Sequence, residues 1–400
     1  MSILIIITLC VILLIAYVFD LSSSKTRIPS VVLLLFLGWL LRQLSGYLSL
    51  HIPDLSGALP VLGTVGLILI VLEGSLELEL NRSKAPLIRK SFFTALVPML
   101  LMAFGLAYVL QFFGEPDFKK NLVNSIPLCV ISSAIAIPSV RALSAYNKEF
   151  IIYESSLSDI IGVLFFNMIA LNSSFGLPTF GHFFLELLVI TAVSFVCTIG
   201  LALLLNRIEH HVKFVPIILL IILIYCVSKE YHLPGLIFIL IFGLFLGNLD
   251  ELKSFPWIKR FHPDELDKEV HKFRDLTGEG AFLIRALFFL LFGYLIETSE
   301  LMNTDSLVWA IGITAAIFLL RGIQLLISRL PLSPLLFVAP RGLITILLFL
   351  AVDSTQTISL INRSLIIQVI LLTALVMMFG LMFKRKPLDE ALNHVDTSVV

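Results

Sequence analysis

Four polar residues in one short run could do chemistry in this chain: Glu154, Ser155, Ser158 and Asp159, within Glu154-Ser155-Ser156-Leu157-Ser158-Asp159-Ile160-Ile161-Gly162. On a helix they occupy one arc of about 140°, with Ser155 and Asp159 stacked one turn apart. Gly162 lies on the same face, where it permits a neighbouring backbone to come close. The run sits inside an apolar segment. If that segment crosses a bilayer from Glu149, Asp159 lies about 15 Å in, near the middle of a ~30 Å hydrocarbon core. An ionisable group at that depth costs several kcal/mol unless a partner or a watery cavity receives it, which marks it as a candidate functional site. A carboxyl group out of water is favoured protonated, whereas a cation beside it favours the ionised form. Asp159 can therefore hold H⁺ or a small metal cation, but not both at once. The Ser155 and Ser158 hydroxyls would add oxygen ligands suited to Na⁺, Li⁺ or K⁺.

The elements around this run are transmembrane helices. Of 400 residues 58% are hydrophobic, 14% are charged and 32 are Phe, with a mean hydropathy of +1.02. Soluble domains carry about 25% charged residues, so the chain reads as an all-α polytopic membrane protein. Cys10, Cys129, Cys197 and Cys226 all fall in apolar segments without metal-ligand or paired spacing, and read as small buried hydrophobes. The N-terminus has no basic flank or small-residue cleavage site, and reads as a retained span. A window of about 20 residues marks thirteen spans, near 2–19, 28–48, 59–78, 92–113, 122–143, 149–171, 181–206, 214–228, 233–248, 279–297, 307–328, 334–352 and 365–383. The long connection from Leu249 to Gly278 mixes Lys253, Lys259, Arg260, Lys268, Lys272 and Arg274 with acids, and reads as an amphipathic stretch on the membrane surface. There is no phosphate loop, zinc spacing or nucleic-acid patch, and no cofactor is called for.

Two spans look broken. The fifth carries Ser132-Ser133-Ala134-Ile135-Ala136-Ile137-Pro138 at mid-membrane, and the twelfth opens with Pro331, Pro334 and Pro340-Arg341-Gly342. Proline removes a backbone donor, and freed backbone groups are tolerated at depth only where they line a cavity or a site. Interrupted segments at matching places in two halves point to a transporter's binding site. Five and twelve differ by an odd number, so equivalent spans run in opposite directions, as an inverted repeat requires. Ser132 and Ser133 thereby join the candidate ion- and proton-binding residues. The Lys and Arg residues concentrate in the odd-numbered loops and the C-terminal tail, from Lys25 and Arg27 to Lys384, Arg385 and Lys386. The positive-inside rule then sets the N-terminus outside and the C-terminus in the cytoplasm. Arg285, Arg321 and Arg341 fall within spans, and Arg285 reads as snorkelling to the cytoplasmic surface.

At these residues the chain resembles the sodium/proton exchangers of the monovalent cation:proton antiporter superfamily, particularly the prokaryotic electroneutral type. The resemblance rests on Arg27-Ile28-Pro29-Ser30, Leu72-Glu73-Gly74-Ser75-Leu76-Glu77-Leu78, the run from Glu154 to Asp159, Arg321 and Arg341-Gly342. It implies cation/H⁺ exchange by alternating access, in the plasma or inner membrane. It also implies a homodimer with a mobile core bundle (approximately 92–171 and 307–385) and a dimerisation part (approximately 1–80 and 181–297). By the same resemblance Asp159 is the ion-binding aspartate and Ser155 its co-ligand, while Glu154 forms a structural pair with Arg321. Arg341 would offset the carbonyl ends of the crossing helices, and Glu73 would line the cytoplasmic ion funnel, although a snorkelling interfacial carboxylate also explains it.

The chain departs from the family pattern twice. Ser158 stands where the family has an asparagine, and Ser132-Ser133-Ala134 where it usually has Thr-Asp-Pro, so the second acid near the site is absent. The cation stays open among Na⁺, the first expectation, K⁺ and Li⁺. A solute symporter on a related inverted-repeat fold would need a roomier polar pocket. An intramembrane aspartic protease would need a second midplane aspartate, and a degenerate, non-transporting sensor would be consistent with the two departures.

Overall fold

The computed structural model describes residues 2–26, 28–48, 54–81, 83–113, 116–140, 143–170, 177–207, 213–231, 233, 235–252 and 263–382. Arg27, Lys253, Lys259, Arg260 and the tail residues Lys384, Arg385 and Lys386 lie outside them. Among the described residues every element is helical: α1 Ser2–Thr26, α2 Ser30–Tyr47, α3 Ala58–Glu77, α4 Ala85–Phe112, α5 Phe118–Ser125, α6 Ser133–Ser139, α7 Ala145–Ala170, α8 Leu177–Arg207 and α9 Phe214–Glu230. They continue with α10 Leu236–Gly247, α11 Leu249–Leu252, α12 Pro263–Leu295, α13 Thr298–Leu301, α14 Thr304–Ile327, α15 Leu332–Leu335, α16 Leu343–Leu350 and α17 Arg363–Met382.

Among the described residues, eight helices are long and apolar enough to cross a membrane. The 26-residue α7 is not among those eight, and Glu154, the serines and Asp159 interrupt its hydrophobic run.

Both predicted interruptions are present. In the fifth span a single turn of 3-10 helix, Ile126–Leu128, follows α5, and α6 starts only at Ser133. In the twelfth, α15 ends at Leu335 and α16 starts at Leu343. The extended pieces cross, and the Ser132 N–H donates to the Pro340 carbonyl at 2.9 Å. Pro340 has no N–H of its own to offer, so its carbonyl is the group that can bond across the crossing. Packed helix pairs flank each broken helix, α4 with α7 and α14 with α17, and α4 also packs on α14.

A second neighbourhood joins α2, α3, α8, α10 and α12. Its closest approach of backbone to backbone is between α2 and α12, where a Cβ on Gly38 would lie 2.2 Å from the Leu290 carbonyl oxygen and one on Gly293 2.3 Å from the Leu35 carbonyl oxygen. Only glycine lets these backbones touch, as small residues commonly do where helices pack in a bilayer.

The stretch read as lying on the membrane surface behaves differently. Residues 263–278 form the first half of α12, a continuous helix of 33 residues. Leu266, Val270, Phe273, Thr277 and Ala281 recur on one face and are all buried. An unbroken i, i+4, i+7 stripe with no Gly or Pro between Pro263 at the helix start and Gly278 gives the helix a face to bury and nothing to stop it.

The link from α3 to α4 is fastened on both sides. Asn248 donates to the carbonyls of Leu78 and Leu244, both at 2.8 Å, and accepts from the Leu80 N–H. On the other side Tyr153 Oη donates to the Glu79 carbonyl at 2.5 Å. Lys84 Nζ meets Glu79 at 2.5 Å and Glu149 at 3.1 Å.

Candidate ion-binding site

Helix α7 starts at Ala145, four residues earlier than its apolar character suggests. Asp159 therefore lies about 21 Å along it, just past the middle. It is 2% exposed, and its two carboxylate oxygens are treated differently. Oδ2 accepts the Ser133 backbone N–H at 3.2 Å and the Ser133 hydroxyl as well. Oδ1 is buried and has no hydrogen-bond partner among the described residues. The broken helix thus grips one side of the carboxylate and leaves the other open.

The other serines divide in a way that side-chain type alone does not reveal. Ser158 Oγ accepts the Ile131 N–H at 2.9 Å, satisfying a donor that the unwound backbone frees. Ser155 Oγ donates to the Ile151 carbonyl of its own helix at 2.7 Å, so its proton is committed and only its lone pairs remain. Ser132 Oγ is buried without a partner among the described residues. It faces Gly342, where a Cβ would come within 2.8 Å of it.

Beside the site, Glu154 and Arg321 form a two-pronged pair, Nη1 to Oε1 at 3.1 Å and Nη2 to Oε2 at 2.8 Å. Arg321 Nε also donates to the Leu335 carbonyl at the end of α15, at 2.6 Å. One guanidinium therefore ties α14 to α7 and to the second broken helix. Arg341 works on the crossing itself. Its Nε donates to the Leu128 carbonyl at 2.7 Å and its Nη1 to the Ala339 carbonyl at 3.0 Å, while Thr373 accepts its backbone N–H at 3.1 Å. Both carbonyls face the interrupted segments, where helix ends concentrate partial negative charge.

Glu73 is elsewhere. It projects from α3 into a groove of about 840 Å³ walled by α1, α9 and α12, with Tyr17, Asp20, Val215, Leu219, Glu279 and Arg285 among its lining. Its Oε2 lies 4.0 Å from Arg285 Nη1. Arg285 is 7% exposed, so it is buried against an acid and does not snorkel to the surface. A guanidinium within a span can pair instead when a facing helix carries a carboxylate at the same depth, which no reading of one helix reveals. The neighbouring Gly74 faces α7, and a Cβ there would lie 3.1 Å from Ser156 Oγ. Among the described residues no group of three or more His, Cys, Asp or Glu could hold a resident metal.

Sequence reading passed over Thr345, whose Oγ1 is fully buried on α16 without a partner among the described residues. The available signal was its place three residues after Gly342, hence on the same helix face.

Comparison with known proteins gives the family. The family model for the sodium/hydrogen exchanger, transmembrane, matches residues 10–385. Curated proteins yield no match. Among solved structures, the sodium proton antiporter MjNhaP1 from Methanocaldococcus jannaschii at pH 8 is similar with a TM-score of 0.67 and 18% identity, covering 96% of each chain. A structure of the same antiporter from an electron-microscopy map gives a TM-score of 0.65 and 20% identity, covering 97% of this chain and 100% of that one. Those likenesses show the fold, whereas the family match spans nearly the whole chain: the protein belongs to the sodium/hydrogen exchanger family, a family of transporters rather than enzymes.

Proposed function

We propose that this protein exchanges a monovalent cation, Na⁺ first and K⁺ or Li⁺ next, for protons by alternating access at Asp159. The observation that carries the reading is the split carboxylate, with Oδ2 held by Ser133 and Oδ1 buried and open at the crossing of two broken helices. Such a group must take a proton or a cation to be tolerated at that depth. Glu154 with Arg321, and Arg341 with the freed carbonyls, support it as scaffold, since each keeps a buried charge satisfied while the site's own charge changes.

In the same reading the core bundle (approximately 92–171 and 307–385) moves against a dimerisation part (approximately 1–80 and 181–297) in a homodimer. The chain makes thirteen passes of the plasma or inner membrane, with its N-terminus outside and its C-terminus in the cytoplasm, and serves pH homeostasis. Glu73 lines an approach for ions from the cytoplasmic side.

The test is purified protein in proteoliposomes holding a pH-sensitive dye, with Na⁺, K⁺ and Li⁺ added separately. Dequenching with at least one cation is expected from the wild type, and none from Asp159→Asn, because an amide cannot alternate between proton and cation. Asp159→Asn should still purify as a folded protein. Wild-type exchange by that variant would remove Asp159 from the mechanism.

A further inference from the structure

We infer that Thr345 of α16 supplies an oxygen ligand to the transported cation, so that the ion is held between both broken helices and α7. The inference rests on Asp159 as the cation site and adds to it a ligand from the second broken helix.

Three oxygens from three elements are left in the same condition near the crossing. Asp159 Oδ1 on α7, Ser132 Oγ at the start of α6 and Thr345 Oγ1 on α16 are each buried with no hydrogen-bond partner among the described residues. Buried polar groups are nearly always paired, so each such exception calls for a reason. Most hydroxyls nearby do have partners: Ser133 with Asp159, Ser158 with the Ile131 N–H, Ser155 with the Ile151 carbonyl and Thr373 with the Val369 carbonyl. Thr345 is the third residue of α16, so no earlier turn of that helix offers its hydroxyl a carbonyl, whereas Thr373, well inside α17, bonds the Val369 carbonyl.

The geometry brings α16 to the other two elements. The Ser132 N–H bonds the Pro340 carbonyl just before α16 at 2.9 Å. Ser132 Oγ lies where a side chain at Gly342 would stand, and Thr345 follows Gly342 by three residues, on the same face and about one turn along. Ile135 shares that space, its Cδ1 lying 2.6 Å from where a Gly342 Cβ would be, so the missing side chain lets the first broken helix close onto the start of α16. A carboxylate oxygen with neutral hydroxyl oxygens is a hard-oxygen set suited to a small monovalent cation. Ser133 is in turn a positioning residue, since its two bonds to Oδ2 hold Asp159 with Oδ1 open.

The experiment compares Thr345→Val, which keeps the shape and removes the hydroxyl, with Thr345→Ser, which restores it. Both are assayed in proteoliposomes for the cation KM and maximal rate with Na⁺, K⁺ and Li⁺, and in detergent for stabilisation against heating by the same cations. Thr345→Val should raise the cation KM about tenfold, the scale of one lost polar contact, with little change in maximal rate. It should shift the cation-dependent melting curve to correspondingly higher concentration, and Thr345→Ser should return both towards wild type. Ser132→Ala should act in the same direction. Wild-type KM and wild-type cation stabilisation in Thr345→Val would overturn the inference. So would a loss of maximal rate that Thr345→Ser does not repair, because that marks a packing role. If Asp159→Asn loses exchange while Thr345→Val behaves as wild type, only the ligand role of Thr345 fails. If Asp159→Asn keeps exchange and cation stabilisation, the site reading fails and the ligand inference with it.

Discussion

Glu154 and Arg321 separate the residues that hold the site from those that do its chemistry. Both are almost fully buried and meet through two parallel contacts, a geometry that guanidinium and carboxylate share. Removing one partner from such a pair leaves an uncompensated buried charge and costs about 3–5 kcal/mol. Arg321→Ala also removes one of the two donors to the Leu335 carbonyl, leaving only the Val338 N–H. The variant should therefore fail through stability, with a clearly lowered Tm in detergent. An unchanged Tm would show that Glu154 finds another partner. Arg321→Lys keeps the charge but cannot reproduce the two-pronged contact, and should fall between wild type and Arg321→Ala.

At the scale of the element, the fifth span works because α7 lets it come close. A Cβ on Gly162 would lie 2.4 Å from Val130 Cγ2 and 3.3 Å from Val130 Cβ. Val130 is fully buried and β-branched, so it has few rotamers in which to retreat. Gly162→Ala must therefore push the unwound segment away from α7, dragging Ile131 and Ser132 with it and pulling on the Ile131 N–H bond to Ser158. Overpacking of this kind costs about 1–3 kcal/mol. The expected outcome is a lowered Tm together with a loss of exchange larger than that stability change alone would cause. Wild-type exchange and Tm would mean that the crossing does not depend on this contact.

For the whole molecule, the number of carboxylates at the site sets the charge moved per cycle. Ser158 and the run Ser132-Ser133-Ala134 carry no charge, which leaves Asp159 as the one acid among the candidate ligands. One carboxylate that trades one proton for one monovalent cation moves no net charge. Exchange in proteoliposomes should then keep the same rate when valinomycin imposes a membrane potential at fixed ion gradients. Glu73 lies in the groove beside Arg285, and Glu73→Gln should leave the exchange voltage-independent. A rate that follows the imposed potential in the wild type and loses that dependence in Glu73→Gln would give Glu73 a second proton and make the exchanger electrogenic.

The sequence by itself determined the solvent, the helical class and the two places where helices break. Those properties depend on composition, segment length and the missing N–H of proline, all of which are local. It also brought forward Asp159, since a carboxylate within an apolar run is conspicuous in one dimension. The division of labour among the serines was decided only by tertiary structure, because a hydroxyl's role depends on which atom of another element faces it. Ser158 meets the Ile131 N–H, Ser133 meets Asp159, and Ser132 packs against Gly342. The same holds for Arg285 opposite Glu73 and for the continuous α12. Pairing across helices and burial of a long face are settled by neighbours distant in the chain, and those neighbours exist only once the helices have packed.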